Sequence, residues 1–97
     1  MTVTVKDFYA DWCGPCDQQA DIINEIEADL ADHEDVEIEK LDVDEHQDEA
    51  NKYQVRSLPA VVVLSEDGTV VERFNGLTQR DAIEDAINSA NATVNVA

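Results

Sequence analysis

The sequence predicts a single α/β domain whose elements follow the order β-α-β-α-β-β-α. Three observations support this fold class. Residues 2–10 alternate between two faces with a period of two, which is typical of a strand. Apolar residues recur every three or four positions over residues 16–31, as they do along one face of a helix. Glu66-Asp67-Gly68-Thr69 lies between two β-branched runs, which indicates a hairpin turn.

The first strand carries apolar side chains on both faces, as expected of an inner strand that is covered on both sides. A loop containing Gly14-Pro15 separates it from the first helix. The later elements are a strand at 36–43, a short helix at 45–54, hairpin strands at 60–64 and 70–74, and a closing helix at 78–90. Thr78 and Asp81 resemble a capping box at the start of that helix. We expect residues 1–90 to form the domain and residues 91–97 to form a flexible tail.

The chain is strongly acidic, with 23 Asp and Glu against 6 Lys and Arg and a net charge of −17. This charge would repel nucleic acid and anionic membrane surfaces, so neither is expected as a partner. No apolar run approaches the ~20 residues that a membrane-spanning helix needs, and residues 1–8 lack the pattern of a secretory signal. Because 43% of the residues are apolar and fall in periodic segments, we expect a folded, cytoplasmic protein rather than a disordered one.

Both cysteines lie in the segment Trp12-Cys13-Gly14-Pro15-Cys16, at a junction between a strand and a helix. A purely structural disulfide is disfavoured, because so short a loop gives little chain-entropy stabilisation. A closed metal site needs two more soft ligands, and no metal is expected within one monomer. His33 and His46 are remote in the sequence and are interpreted as surface residues.

The position of the cysteines indicates redox chemistry instead. At the first turn of a helix, unpaired N–H groups and the helix dipole favour a thiolate. The sequence therefore predicts that Cys13 is an exposed nucleophile that forms a mixed disulfide with a substrate. Cys16, one turn into the helix and more buried, would then resolve that mixed disulfide.

The segment from Asp7 to Cys16 resembles the active-site segment of the thioredoxin family. Further matches follow in the right order and span nearly the whole chain: Lys40-Leu41-Asp42-Val43-Asp44, Tyr53-Gln54-Val55-Arg56-Ser57-Leu58-Pro59, Asp67-Gly68 and Gly76. The resemblance implies a thiol–disulfide oxidoreductase that reduces protein disulfides through a Cys-Gly-Pro-Cys active site. It also implies an upstream thioredoxin reductase as a partner and no bound cofactor. A monomer is expected.

The resemblance also assigns a substrate-binding side to the dithiol. From the residues alone, Pro59 is a trans proline that starts a strand, whereas the resemblance makes it the family's cis-proline opposite the cysteines. Ser57 and Leu58 would then pair with an extended substrate segment in a β-like manner. Gly76 matches a loop glycine beside the groove. The residues that support the active site are the exposed Trp12, Gly14 and Pro15, of which Pro15 also suits an early helical position.

Asp7 matches the family's buried acid, and the strand pattern supports its burial independently. It shares a strand face with Val3 and Val5, so its carboxyl should be desolvated and its pKa raised. Such an acid can exchange protons with Cys16 during the reaction. Lys40, on the next strand, is the expected charge partner.

The sequence departs from the family pattern in three respects. The N-terminal strand and helix of typical thioredoxins are absent, so we expect a thioredoxin-like fold with a mixed four-stranded sheet flanked by helices. Asp11 and Asp17 add negative charge beside the dithiol, which opposes thiolate formation unless salt screens it. Asp21 replaces the usual helix-kinking proline, which predicts a straighter helix.

The acidic composition resembles that of proteins from extreme halophiles, with few lysines, more Asp than Glu, and small apolar residues. In molar salt the screening length falls to ~3 Å, which removes most of the self-repulsion. We therefore expect the fold to need high salt. Docking to a basic partner is the alternative explanation, and it predicts acids clustered around the rim of the active site.

Three other functions are left open by the sequence. A glutaredoxin-like reductase would use a small thiol, although Cys-Gly-Pro-Cys and Trp12 argue against it. A metal or cluster carrier would bring two Cys-x-x-Cys sites together across a dimer. A redox-inert binding module on the same scaffold is disfavoured, because both cysteines and Asp7 are retained.

Overall fold

Within residues 2–30 and 35–95, which a computed structural model describes, the elements follow the predicted order. They are β1 (Val3–Tyr9), α1 (Gly14–Asp29), β2 (Val36–Asp42), α2 (Gln47–Lys52), β3 (Ala60–Leu64), β4 (Val70–Asn75) and α3 (Arg80–Asn95). None of these helices is both long enough and apolar enough to cross a membrane.

These strands form one mixed sheet in the order β2-β1-β3-β4. The α1 crossover allows β1 and β2 to run parallel, with Asp7 opposite Lys40. β3 runs antiparallel to β1, and β4 returns antiparallel to β3. Gly68 in the hairpin turn has a φ of +87°, which a residue with a side chain would adopt only under strain. The predicted α/β fold with a mixed four-stranded sheet flanked by helices is confirmed.

Helices cover both faces of the sheet, which explains why β1 is apolar on both sides. Val3 packs in one cluster with Ile23 of α1 and Ile83 of α3. Phe8 faces the opposite layer and packs there with Tyr53, which directly follows α2. β3 is buried at every position, because its unbroken apolar run is covered on both faces of the sheet. The carboxyl end of β1 therefore leads from a rigid, covered centre of the sheet directly into the loop before α1.

Several local details differ from the sequence prediction. α2 is shorter than residues 45–54. The predicted capping box does not form, because the Thr78 N–H donates to Gln19 Oε1 at 2.8 Å, and α3 begins at Arg80. Ala28 of α1 and Ala82 of α3, which the helical spacing of apolar residues predicts to face inward, are exposed.

The chain end also differs from its predicted form. α3 continues to Asn95, through five residues that the sequence assigned to a tail. The flexibility of that tail stays a prediction, and its last two residues, like Ala31 and His33, lie outside the described residues. His46 is exposed, as predicted.

Candidate active site

The two cysteines lie at the N-terminus of α1, where the loop after β1 turns into the helix. Cys13 is the N-cap residue, with an extended backbone at φ −99° and ψ 104°, and Pro15 occupies the first turn. The Cys16 N–H donates to the Cys13 carbonyl oxygen at 3.3 Å, and the Cys13 N–H donates to the Ala10 carbonyl oxygen at 3.1 Å. The side chains of Cys13 and Cys16 form a disulfide with a Cα–Cα distance of 5.4 Å. The strand-to-helix junction therefore fixes both sulfurs at the positive end of a helix dipole.

Both cysteines are buried in the disulfide form, which corrects the expectation of an exposed Cys13. Cys13 is 7% exposed and Cys16 is 3% exposed, so their order is as predicted but the difference is small. The cause is an apolar cluster around the disulfide, formed with Ala10, to which Tyr9, Val43 and Leu58 add partly buried side chains. The disulfide is therefore largely covered by neighbouring apolar side chains.

Asp7 is buried near the middle of β1, on the face that its alternation with Val3 and Val5 predicts. Asp7 is 2% exposed, and its Oδ1 has no hydrogen-bond partner among the described residues. Burial raises the pKa of the Asp7 carboxyl from 3.8 to about 6, and the positive charge of Lys40 partly opposes this rise. Asp7 is thus an acid that changes its protonation state near neutral pH.

A cavity of about 270 Å³ connects Asp7 to the dithiol. Asp7, Cys16 and Lys40 all line it, so the structure brings together three residues that the sequence analysis had linked to one another. Asp11 and Asp17 line the same cavity, which places two further carboxylates beside Cys16. A cavity of this size and polarity has room for water that can carry a proton between Asp7 and Cys16.

Lys40 faces Asp7 across the β1–β2 pair, but its ammonium group binds elsewhere. Lys40 Nζ donates to Asn24 Oδ1 at 2.6 Å and to Glu27 Oε1 at 3.3 Å, both on α1. The side chain is 39% exposed. Lys40 therefore acts on Asp7 through its charge, with solvent screening, and not through a direct hydrogen bond.

The predicted substrate-binding residues lie around the disulfide on loops from two parts of the chain. The Leu58–Pro59 peptide bond is cis, as the resemblance implied. Leu58 packs against the cysteine cluster, Pro59 is buried, and Ser57 is exposed. The Gly76 N–H donates to the Pro59 carbonyl oxygen at 2.7 Å, and Gly76 has a φ of +89°. This bond joins the loop before β3 to the loop after β4.

Trp12 is the most exposed large apolar side chain of the described residues, at 70%. Its indole Nε1–H donates to Asp44 Oδ2, which follows β2, at 3.2 Å. The exposed position beside Cys13 agrees with the prediction for Trp12, while its partner Asp44 was not singled out. Gly14 and Pro15 are also exposed, so the turn between the cysteines is open to a partner.

Two buried polar residues were not recognised from the sequence. Gln19 is 0% exposed on α1 and bonds the backbone of Thr78. Lys6 is 7% exposed, and its ammonium group binds Glu39 Oε2 at 3.2 Å and Glu49 Oε2 at 3.0 Å. A signal existed for both, because Gln19 falls three residues after Cys16 on the inward helix face, and Lys6 shares a strand face with Phe8.

No group of three or more His, Cys, Asp and Glu side chains suited to hold a metal ion lies within residues 2–30 and 35–95.

Comparison with known proteins agrees with the geometry. The family model for thioredoxin matches residues 2–89. The thioredoxin of Bacillus subtilis is 41% identical over 86 residues, which cover 89% of this chain and 80% of that protein. A thioredoxin of Staphylococcus aureus is 37% identical over 86 residues, with the same coverage of both chains.

Solved structures give the same result. A mutant thioredoxin from Halobacterium salinarum shares 42% identity and a TM-score of 0.76, over 91% of this chain and 74% of that one. The oxidised mitochondrial thioredoxin 3 of Saccharomyces cerevisiae shares 32% identity and a TM-score of 0.76, over 90% of this chain and 77% of that one. Since the family match covers most of the sequence and relatives retain about 40% identity, this chain belongs to the thioredoxin family of protein-disulfide oxidoreductases.

Proposed function

We propose that the chain reduces disulfides in other proteins, with Cys13 as the attacking thiolate and Cys16 as the resolving thiol. One observation carries this proposal: the Cys13–Cys16 disulfide lies at the start of α1, and Cys16 shares a cavity with the buried acid Asp7. This arrangement supplies a stabilised thiolate, a second thiol within bonding distance, and an acid that can exchange a proton with it.

In the first step, the Cys13 thiolate attacks one sulfur of the substrate disulfide. A bond forms between Cys13 Sγ and that sulfur, the substrate S–S bond breaks, and the other substrate sulfur leaves as a thiolate that takes up a proton. The N-cap position of Cys13 supports this role, because the helix dipole and the unpaired N–H groups of the first turn stabilise a negatively charged sulfur.

In the second step, Cys16 resolves the mixed disulfide. The Cys16 thiol gives its proton to the ionised Asp7 carboxylate through the shared cavity and attacks Cys13 Sγ. The bond between Cys13 and the substrate breaks, and the second substrate sulfur leaves with the electron pair. Two electrons have then passed from the dithiol to the substrate. A pKa of about 6 leaves Asp7 mostly ionised at neutral pH and still basic enough to accept the proton.

An extended segment of the substrate binds beside the disulfide. Leu58 contacts the cysteine cluster, and the hydrogen bond from Gly76 to Pro59 holds the two loops together. Ser57 is exposed next to them and has backbone groups available for β-like pairing. Trp12 provides an apolar surface on the other side of Cys13.

The proposed roles are tested by insulin reduction, with dithiothreitol as the electron source and molar KCl in the buffer. We expect Cys13→Ser to abolish turnover, because no nucleophile remains, and Cys16→Ser to abolish repeated turnover, because the mixed disulfide cannot be resolved. Asp21→Asn, which changes an exposed acid elsewhere on α1, is the control and should retain normal turnover. Normal turnover of Cys13→Ser would contradict the proposal.

We also propose that the chain acts as a cytoplasmic monomer that is reduced again by a thioredoxin reductase. Membership of the thioredoxin family supports the reductase and the disulfide-containing substrates. Light scattering on the protein eluting from a sizing column in molar KCl tests the monomer. A mass near 10.8 kDa is expected, and a stable dimer would contradict this part of the proposal.

The acidity is proposed to be an adaptation to a solvent of high salt. Exposed acids are spread over all three helices and at least two strands, and include Asp21, Glu25, Glu37, Asp48, Glu72, Asp81 and Asp85. This spread supports an effect of solvent more than a basic partner docked at the active-site rim. The melting temperature should rise between ~0.1 M and ~3 M KCl as screening removes self-repulsion. A flat or falling melting temperature over this range would contradict the proposal.

A further inference from the structure

Gln19 is a fully buried polar side chain that the proposed reaction does not use. It lies on α1, one turn after Cys16, and is 0% exposed. Its Nε2 donates to the Thr78 carbonyl oxygen at 3.1 Å, and its Oε1 accepts the Thr78 N–H at 2.8 Å. Both ends of one amide group therefore bind one residue of the backbone, 59 positions further along the chain.

Two hydrogen bonds to one residue fix its orientation as well as its distance. A single bond leaves the backbone free to rotate about the contact, whereas a pair of bonds also sets the orientation of the peptide groups on both sides of Thr78. Gln19 is fully buried and Thr78 is partly buried, so breaking these bonds leaves the Gln19 amide without water to replace the lost partner. The Thr78 backbone is thus held to the helix that carries the dithiol.

Thr78 belongs to the loop that borders the proposed substrate groove. Its hydroxyl donates to the Gly76 carbonyl oxygen at 3.0 Å, and the Gly76 N–H donates to the Pro59 carbonyl oxygen at 2.7 Å. Between them, Leu77 is 41% exposed and is one of two exposed large apolar side chains in the described part of the chain. A continuous series of hydrogen bonds therefore runs from Gln19 through this loop to the cis-proline.

We infer that Gln19 is a positioning residue that fixes the loop 76–78 beside the dithiol and thereby sets the affinity for protein disulfides. The inference rests on the proposed function, in which this loop contacts substrate. A loop that is ordered before binding loses less conformational freedom on binding, so its substrate binds more tightly. Gln19 touches neither the substrate nor the reacting sulfurs, and it acts only through Thr78.

The first test compares Gln19→Met with Gln18→Met. Methionine has about the volume of glutamine and is accommodated in cores, but it makes neither hydrogen bond. Gln18 is exposed on the same helix and serves as the matched control. Two substrates separate the possible effects: insulin, which needs the groove, and the small aromatic disulfide DTNB, which reaches the dithiol without it.

For Gln19→Met, the KM for insulin should rise about fivefold, which is the size expected when a few groups must be ordered on binding. The kcat for insulin and the rate with DTNB should stay within about twofold of the unmodified protein, since the dithiol itself is unchanged. Gln18→Met should match the unmodified protein with both substrates.

The second test is Gln19→Glu, which also keeps the inference testable where Gln19→Met folds poorly. A protonated carboxyl can donate its O–H to the Thr78 carbonyl and accept the Thr78 N–H, as the amide does. An ionised carboxylate accepts but cannot donate, and its burial is unfavourable. At each pH, the KM of Gln19→Glu for insulin is divided by that of the unmodified protein. This ratio should be near one in acid and should rise as the introduced carboxyl ionises.

Two results would overturn the inference. Equal losses with insulin and DTNB would mean that Gln19 supports only the fold, and an unchanged insulin KM in Gln19→Met would mean that the loop needs no such support. Neither result affects the proposed function, which fails separately if Cys13→Ser retains turnover.

Discussion

The burial of Asp7 should make the folded protein less stable as the pH rises. The pKa of this carboxyl is 3.8 when freely solvated and about 6 in the folded protein. The folded state therefore binds more protons than the unfolded state between these values, and the free energy of unfolding falls across this range. The loss is nearly complete about one pH unit above this folded-state pKa. A tenfold change in an acid dissociation constant corresponds to about 1.36 kcal/mol. The rise in the pKa of Asp7 from 3.8 to about 6 therefore lowers the free energy of unfolding by roughly 3 kcal/mol.

Replacing Asp7 with asparagine removes this loss, because the amide keeps the shape of the carboxyl and does not ionise. Asp7→Asn should be more stable than the unmodified protein by roughly 3 kcal/mol at pH 8 and nearly equal to it below pH 4. For a domain of this size the difference corresponds to a shift in melting temperature of roughly 12–24 °C. Urea unfolding of the oxidised protein between pH 4 and 8 measures it, since the disulfide keeps the thiols from titrating.

Asp17→Asn is the matched control, because it removes one negative charge at an exposed position on the rim of the same cavity. Its stability should follow the pH dependence of the unmodified protein. A stability difference for Asp7→Asn that does not change with pH, or that has the opposite sign at pH 8, would show that Asp7 is not protonated by burial in the folded protein.

Three further predictions follow from neighbouring contacts. Lys40→Gln removes the charge that opposes the rise in the pKa of Asp7, so the loss of stability with rising pH should extend to higher pH. The free energy of unfolding measured against pH tests this, and a profile that matches the unmodified protein would contradict it. Gly76→Ala places a side chain at a φ of +89° and should lower the free energy of unfolding by about 1 kcal/mol in urea, whereas no loss would show that the loop relaxes without strain. Lys6→Met should lower the free energy of unfolding by about 2 kcal/mol at low salt, because Glu39 and Glu49 lose their partner. An unchanged urea midpoint would show that these ion pairs add no stability.

The period of the apolar residues was sufficient to predict the order of the helices and strands, whereas the mixed four-stranded sheet was implied by the resemblance to the thioredoxin family. The alternation of Val3, Val5 and Asp7 predicted both the strand and the burial of the acid, which the structure has at 2% exposure. The strand pattern also predicted that Lys40 lies near Asp7, and the two residues are opposite each other in the β1–β2 pair. The Lys40 ammonium group nevertheless binds Asn24 and Glu27 on α1.

The details that the sequence missed depend on contacts between distant parts of the chain. The capping box at Thr78 was wrong because Gln19, far away in sequence, takes the N–H that the capping side chain would bind. Cys13 is buried because Leu58 arrives from the loop before β3. Local patterns carry no information about such partners, since propensities and caps are read within a few residues.

Covalent trapping distinguishes the attacking cysteine, Cys13, from the resolving cysteine, Cys16. Reduced Cys16→Ser and Cys13→Ser proteins are each incubated with a single-disulfide protein in molar KCl, and their intact masses are measured without reductant. Cys16→Ser should gain the mass of one substrate chain as a mixed disulfide on Cys13, while Cys13→Ser should remain unmodified. Adducts on Cys13→Ser together with an unmodified Cys16→Ser would reverse the assigned roles and contradict the account.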